Sequence, residues 1–299
     1  MKTYLECIPC FFKQALEAAG LSGANNKTQK RILDAVALSM PKFPLSSSPP
    51  EMARVIHGIV KGITAKDDPY AKIKEKSNKL ALKVYPRLKE KIACSHDRLL
   101  TAIELAIAGN IIDYGVKNSL NVKKELDKIL DKESEAIRRE SKSIFDYRGF
   151  KHALKNAKTI LYLADNAGEV VFDRILIEEM KEKNRNADII YVTKEKPVIN
   201  DALVEDARIA GIQKYAKIIS SGVDAPGTVL PLCSKEFLRT FRRADMIIGK
   251  GQGNFEALSD SKRSIFFLFM AKCQVIAKDV GCKVGDVILS YHSGKDRNR

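Results

Sequence analysis

The stretch Thr159-Ile160-Leu161-Tyr162-Leu163-Ala164-Asp165-Asn166-Ala167-Gly168-Glu169-Val170-Val171-Phe172-Asp173 decides the fold. Its first five residues form an apolar run rich in β-branched and aromatic side chains, which predicts a buried strand. Ala164 ends the run, and Asp165 and Asn166 follow as adjacent oxygen donors. Ala167-Gly168 lets the backbone turn sharply. Glu169 then opens an amphipathic helix to about Lys183, with Val170, Ile175, Ile177 and Met180 among its apolar positions. Strand, acidic turn and helix begin a βαβ unit. In open parallel sheets ligands bind at the carboxyl ends of strands, so Asp165 and Asn166 stand where chemistry is expected. Carboxylate and amide oxygens suit a hard divalent cation, and an Asp or Asn in front of a helix also serves as a simple cap.

Working outward from this unit, the same rhythm continues to the C-terminus. Candidate strands are residues 160–163, 189–193, 216–220, 246–248, 265–270 and 287–291, most of them separated by helical patterns. That alternation predicts a doubly wound, mostly parallel α/β/α sheet of Rossmann-like type over residues 156–299. Before it, residues 1–155 read as a helical domain packed on the sheet domain. Helices are expected at 11–19, 26–40, 51–63 and 70–84, with Pro86 breaking or kinking the fourth. A further helix is expected at 97–114, capped by Ser95, then charged helices at 122–130 and 134–145, and a turn at 146–149. The tail from Gly294 is polar and expected to fray.

Composition narrows the functional classes. The 52 Lys and Arg against 37 Asp and Glu give a net charge of +15, an excess suited to phosphorylated ligands or nucleic acid. The charges alternate in sign, however, as in Lys74-Glu75-Lys76 and Lys181-Glu182-Lys183, and aromatic residues do not interleave with a basic stripe. Both observations argue against a nucleic-acid surface. No apolar run is long enough to span a bilayer, and the N-terminus lacks a signal-peptide core, so membrane association is not expected and a cytoplasmic location is. Cys7-Ile8-Pro9-Cys10 has CxxC spacing, but a zinc site would want a second such pair and no strand precedes it as in redox motifs. A structural or accessory role is expected for these thiols.

The residues after each strand form a constellation. The first strand end gives Asp165 and Asn166, and the second leads to Lys196-Pro197-Val198-Ile199-Asn200-Asp201. Ser221 follows the third, Gly249-Lys250-Gly251-Gln252-Gly253-Asn254-Phe255-Glu256 the fourth, and Lys272 the fifth. Asp165, Asn166 and Asp201 supply ligands for one divalent cation. Ser221, Lys250, Lys272 and the glycine-rich turn supply donors and positive charge for a phosphate. A cation beside a phosphate cradle is the kit for phosphoryl transfer or hydrolysis. The turn lacks P-loop spacing, and Asp165-Asn166-Ala167-Gly168 lacks the dinucleotide fingerprint.

Five segments in this order carry a resemblance: Glu6-Cys7-Ile8-Pro9-Cys10, Ala108-Gly109-Asn110-Ile111-Ile112-Asp113, Asp165-Asn166-Ala167-Gly168-Glu169, Ile199-Asn200-Asp201 and Lys250-Gly251-Gln252-Gly253-Asn254-Phe255-Glu256. The chain resembles the metal-dependent damage-control phosphatases, the ARMT-like family, and most of all their stand-alone prokaryotic branch with an N-terminal CxxC. The resemblance implies a helical domain against an α/β/α domain and one divalent metal ion (Mg, Mn, Co or Ni) on Asp165, Asn166 and Asp201. Substrate or phosphate binding is expected at Asn110, Asp113, Glu169, Ser221, Lys250, Gly251, Asn254 and Lys272. Asn110 and Asp113 lie three apart on one helix face, expected to close over the site. Asp165 fits either a pure ligand or a nucleophile, and Glu256 a general base. The expected activity is hydrolysis of phosphate esters of small metabolites: sugar phosphates, nucleotides or damaged phosphometabolites. The rival activities are carboxyl methylation from S-adenosylmethionine, also attached to relatives of the family, and a non-catalytic nucleic-acid-binding role. Oligomeric state is not legible in the chain.

Overall fold

The computed structural model describes residues 1–109 and 144–294. The expected helix at 122–130 and residues 134–143 of the one expected at 134–145, and Asn110 and Asp113 with them, lie outside the described residues. All six expected strands form: β1 (Thr159–Leu163), β2 (Asp188–Thr193), β3 (Lys217–Ser220), β4 (Met246–Lys250), β5 (Ile265–Met270) and β6 (Val287–His292). They make one sheet in the order β3-β2-β1-β4-β5-β6, parallel except for the antiparallel pair β5–β6. Chain order reverses between β1 and β4, so the topological switch point lies at the carboxyl ends of these two strands. Asp165 and Gly251 follow them directly.

Both faces of the sheet are covered, as nearly continuous apolar strands require. Along β1, Ile160 and Tyr162 face a core shared with α4 (Ala71–Ala93), α5 (Arg98–Ala108), α6 (Tyr147–Asn156) and α7 (Glu169–Lys183). Leu161 and Leu163 face the other way, with Phe237 and Phe241 of α9 (Lys235–Arg243), Phe255 of α10 (Gly251–Leu258) and Ile276 of α11 (Gln274–Val280). The short α8 (Val204–Ile209) lies between β2 and β3 in the chain. Helices α1 (Cys7–Leu21), α2 (Asn26–Ser39) and α3 (Pro49–Thr64) gather around a separate cluster with Phe11, Ile32, Met52, Ile56 and Tyr70. Residue 155 therefore marks a change in chain rhythm, whereas the apolar core of the sheet takes in α4 and α5 from the first half.

Several local expectations are corrected. Helix α4 is not broken at Pro86 but continues through it to Ala93. The proline costs about 3 kcal/mol in a helix interior, and Ala81, Leu88 and Ile92, all fully buried on either side of it, offset that cost. Asp97 caps α5 by accepting from the Leu100 amide, while the Ser95 hydroxyl donates back to the Lys91 carbonyl. Residues 146–149 open a helix, with Asp146 accepting from the Gly149 amide. Helix α7 is buried on nearly every side because it is sandwiched between the sheet and α4 and α5. Its polar residues are paired inside: Glu178 with Lys89, Tyr85 and Arg174, and Glu179 with Arg98.

Candidate active site

The turn after β1 and the loop after β2 are stitched together by backbone. Asn166 and Asp201 form an antiparallel bridge, the Ala167 amide donates to the Asn200 carbonyl and the Ala202 amide to that of Asp165. Ile199 turns this loop with a φ of 45°, a strained conformation for a β-branched residue. Gly168, at φ 83°, makes the turn into α7, and a side chain there would meet Ser77 of α4. Asn78, also on α4, accepts from the Gly168 amide at 2.7 Å and donates to Asp206 at 2.6 Å.

Asp165, Asn166 and Asp201 thus meet, each at most 7% exposed. The Asn166 amide nitrogen donates to Asp165 Oδ2 (2.9 Å) and Glu169 Oε1 (2.7 Å), which turns its amide oxygen away from both carboxylates. Asp201 Oδ2 is buried without a hydrogen-bond donor among the described residues. Lys194 stands 3.5 Å from it, close enough for an ion pair, but directs its hydrogen bond to the Gly227 carbonyl. Burial, then the Glu169 charge, holds the Asp165 carboxyl well above its ordinary range. Asp201 is pushed up to about 6, burial being offset by Lys194. Two crowded carboxylates, an orphaned oxygen and an outward amide oxygen fit a hard cation. Among the described residues no three His, Cys, Asp or Glu side chains gather as a metal cluster. The donor set is therefore sparse, two carboxylates and an amide, of the kind magnesium uses when substrate oxygens complete its shell.

Beneath this set lies a buried network absent from the sequence reading. Asp173 of α7 is fully buried and accepts from the Tyr162 and Tyr191 hydroxyls, each at 2.7 Å, and from Lys250 at 2.8 Å. Lys250 also stands 3.4 Å from Glu169. Burial opposes the lysine's charge, yet Asp173 and then Glu169 hold its pKa above the ordinary value. The sequence signal was present: Tyr162 and Tyr191 are register partners in mid-strand, and Glu169 and Asp173 are one helical turn apart.

A cavity of about 830 Å³ opens over Asp165, Asn166 and Asp201. Its walls come from both halves of the chain, including Cys7, Phe11 and Gln14 of α1, Tyr70, Gln252, Glu256 and Lys272. Not every expected phosphate ligand reaches it. Lys250, expected to meet phosphate, is turned into the core by Asp173 and is 1% exposed. The Ser221 hydroxyl, one strand further from the switch point, donates to the Thr193 carbonyl at the end of the neighbouring β2. Asn254 is fully buried and staples strand ends together, donating to the Ala164 and Lys250 carbonyls and accepting from Thr228. Glu169 supports Asn166 from below. Gly251, at φ 77°, brings α10 so close to Asp165 that a Cβ would collide with its carboxylate. Lys272 and Glu256 line the cavity.

Cys7, Cys10 and Cys273 share this wall. Cys10 is exposed, burial raises the Cys7 thiol, and burial pushes Cys233 up to about 12. With iodoacetamide at mildly alkaline pH, peptide mass spectrometry is expected to find Cys10 alkylated before Cys7 and Cys233 last. Equal rates would mean that burial does not govern these thiols.

The geometry can now be set beside known proteins. Residues 3–288 match the damage-control phosphatase ARMT1-like domain. The chain belongs to this family. The damage-control phosphatase of Pyrococcus horikoshii is 36% identical over 290 residues, covering 96% of this chain and 97% of its own. A damage-control phosphatase of Archaeoglobus fulgidus is 37% identical over 239 residues, 79% of this chain and 80% of its own. The crystal structure of the P. horikoshii protein superposes with a TM-score of 0.87 at 35% identity, over 98% of this chain and 100% of that one. The ARMT1-like fold is thus an α/β sheet with helices on both faces and a helical N-terminal portion.

Proposed function

We propose that this member of the phosphatase family is a divalent-cation-dependent hydrolase of phosphate esters of small metabolites. The observation that carries the reading is the meeting of Asp165, Asn166 and Asp201 at the β1–β4 switch point, with Asp201 Oδ2 buried and lacking a donor among the described residues. A divalent cation held by these three side chains would draw negative charge from a phosphoryl oxygen. Lys272, on the cavity wall, supplies positive charge to the oxygens of the group being transferred. Glu169 fixes the Asn166 amide so that its oxygen, not its nitrogen, is offered. Gly251 lets α10 press against Asp165 and narrows the carboxylate's freedom. The helices of residues 1–155 and the sheet of 156–299 then act as two walls of one site. Six free cysteines and no described helix long and apolar enough to cross a membrane support work in the cytosol.

The test is phosphate release from a panel of sugar phosphates and nucleotides, each with Mg, Mn, Co and Ni, beside a methyl-transfer control with S-adenosylmethionine. Release that requires an added cation and is abolished by chelation is expected. Release unaffected by chelation, or methyl transfer alone, would overturn the reading.

One pH effect follows from the cavity wall. The Glu256 carboxyl is pushed up to about 7 by burial, against the pull of Gln252 and the N-terminal amine. A carboxyl with a raised folded pKa holds its proton more tightly in the folded state. Its stabilisation is complete below the unfolded value and is lost as pH rises through about 7. In chelator-treated protein the melting temperature of the wild type is expected to fall more than that of Glu256→Gln between about pH 5 and about pH 7. Parallel slopes would show an ordinary carboxyl.

A further inference from the structure

The cavity is much larger than one phosphate needs, and its charge is unevenly distributed. Beyond Asp165 and Asp201 its wall carries Glu6, Glu17, Glu256 and Asp279 against Lys272 and Lys278. The other lysines near the site are spent: Lys194 lies against Asp201, and Lys250 against Asp173 and Glu169. Glu6, Glu17, Asp279 and both wall lysines are exposed, where water and salt screen them. Glu256 is the half-buried carboxylate within, held by Gln252 at 2.8 Å. Gln252 in turn accepts from the Lys272 amide at 3.2 Å, so Glu256 is tied through Gln252 to the strand end that carries Lys272. It is five positions along α10 from Gly251, which abuts Asp165, or about 7.5 Å of helix. That is the reach of the organic part of a small phosphate ester, and it removes Glu256 from the reacting phosphoryl group. The same wall carries Gln14, whose Oε1 is buried without a donor among the described residues. The buried N-terminal ammonium behind Glu256 is already taken up by the Glu256 carbonyl, the Ser259 hydroxyl and Asp260. Among the described residues the interior thus offers two acceptors and no uncommitted cation, a poor place for a second anion and a good one for hydroxyl or ammonium groups.

We infer that the cavity selects phosphomonoesters whose remaining part is uncharged or carries an amine, and that Glu256 sets this choice by accepting hydrogen bonds and repelling a second negative charge. The inference deepens the phosphatase reading and rests on it for the position of the phosphate. Three probes of similar size separate the charges at the far end: glucosamine 6-phosphate (amine), glucose 6-phosphate (neutral) and 6-phosphogluconate (carboxylate). With Mg or Mn supplied at about pH 8, above the Glu256 value of about 7 so that the carboxylate carries its charge, kcat/KM is expected to be at least about tenfold lower for the carboxylate probe than for the neutral one, the amine probe being equal to or better than the neutral one. Glu256→Gln keeps an acceptor, loses the charge and is expected to compress this range, mainly through KM. Binding is read in parallel as the rise in melting temperature that each probe gives, with circular dichroism confirming that the variant folds. Equal kcat/KM for all three in the wild type overturns the inference and leaves the phosphatase reading standing. An undiminished preference in folded Glu256→Gln overturns the assignment to Glu256. A charge preference in binding without phosphate release from any probe overturns the hydrolytic reading and supports the inference, whereas neither preference nor release overturns both.

Discussion

Asp201→Asn is expected to lower turnover by roughly a thousandfold or more, the several kcal/mol that a cation contributes to charge stabilisation. The substitution keeps the shape of the side chain and the backbone bridge to Asn166, so the loop after β2 should stay in place. It also leaves an amide oxygen for Lys194, which stands 3.5 Å from the native carboxylate. Burial pushes Asp201 up to about 6, so at neutral pH the folded state carries this ionised carboxylate against its own preference. The cation-free variant should therefore melt at or slightly above the wild-type temperature. The wild type should gain stability when Mg or Mn is added, because a ligand that binds only the folded state raises stability with its concentration. The variant should lose most of that gain. Differential scanning fluorimetry with a cation titration reads this without reference to activity. A variant that melts low but responds normally to cation would mark Asp201 as a loop-forming residue and sink its assignment as a ligand.

The second large effect is on stability. Lys250→Ala is expected to destabilise the fold by about 3–5 kcal/mol, because it breaks a buried ion pair from one side. Lys250 and Asp173 are each 1% exposed in their side chains and 2.8 Å apart, and the two tyrosine hydroxyls already spend their protons on Asp173. Without the ammonium, Asp173 and Glu169 face each other in the core, and the Asp173 carboxyl, raised by burial even with Lys250 present, would take up a proton. The sequence alone points to the reverse, a lysine in a glycine-rich strand end whose loss harms phosphate binding more than folding. Urea unfolding of Lys250→Ala and Lys250→Met discriminates: a loss below about 1 kcal/mol with weakened inhibition by inorganic phosphate would return Lys250 to the anion.

The sheet was legible because its strands are short apolar runs buried on both faces, and such runs carry their signal residue by residue. Asp165 and Asn166 were legible because a strand followed by polar residues and a glycine locates a sheet edge. Asp201 was legible only as a residue after a proline loop, and the backbone bridge to Asn166 makes the connection. What the sequence could not supply was direction. Lys250 and Lys272 both follow strands, but Asp173 turns one into the core while the other stays on the cavity wall. Ser221 and Asn254 look like ligands by type, yet their polar atoms complete turns between neighbouring strand ends. Pro86 misleads for a different reason: local propensity set against burial of Leu88 and Ile92 loses.

The Gly168 amide donates its hydrogen bond to Asn78, ninety residues earlier in the chain. The turn that offers Asp165 and Asn166 is thus finished by a helix belonging to the other half. During synthesis α4 is complete well before β1 exists, and the loop closure between them has to precede any competent site. A fragment holding the sheet alone would keep every proposed cation ligand and still lack the clamp that positions their turn. In hydrogen exchange, the Gly168 amide should open together with α4 and not with the strand it follows, so its exchange rate would report how often the two halves part.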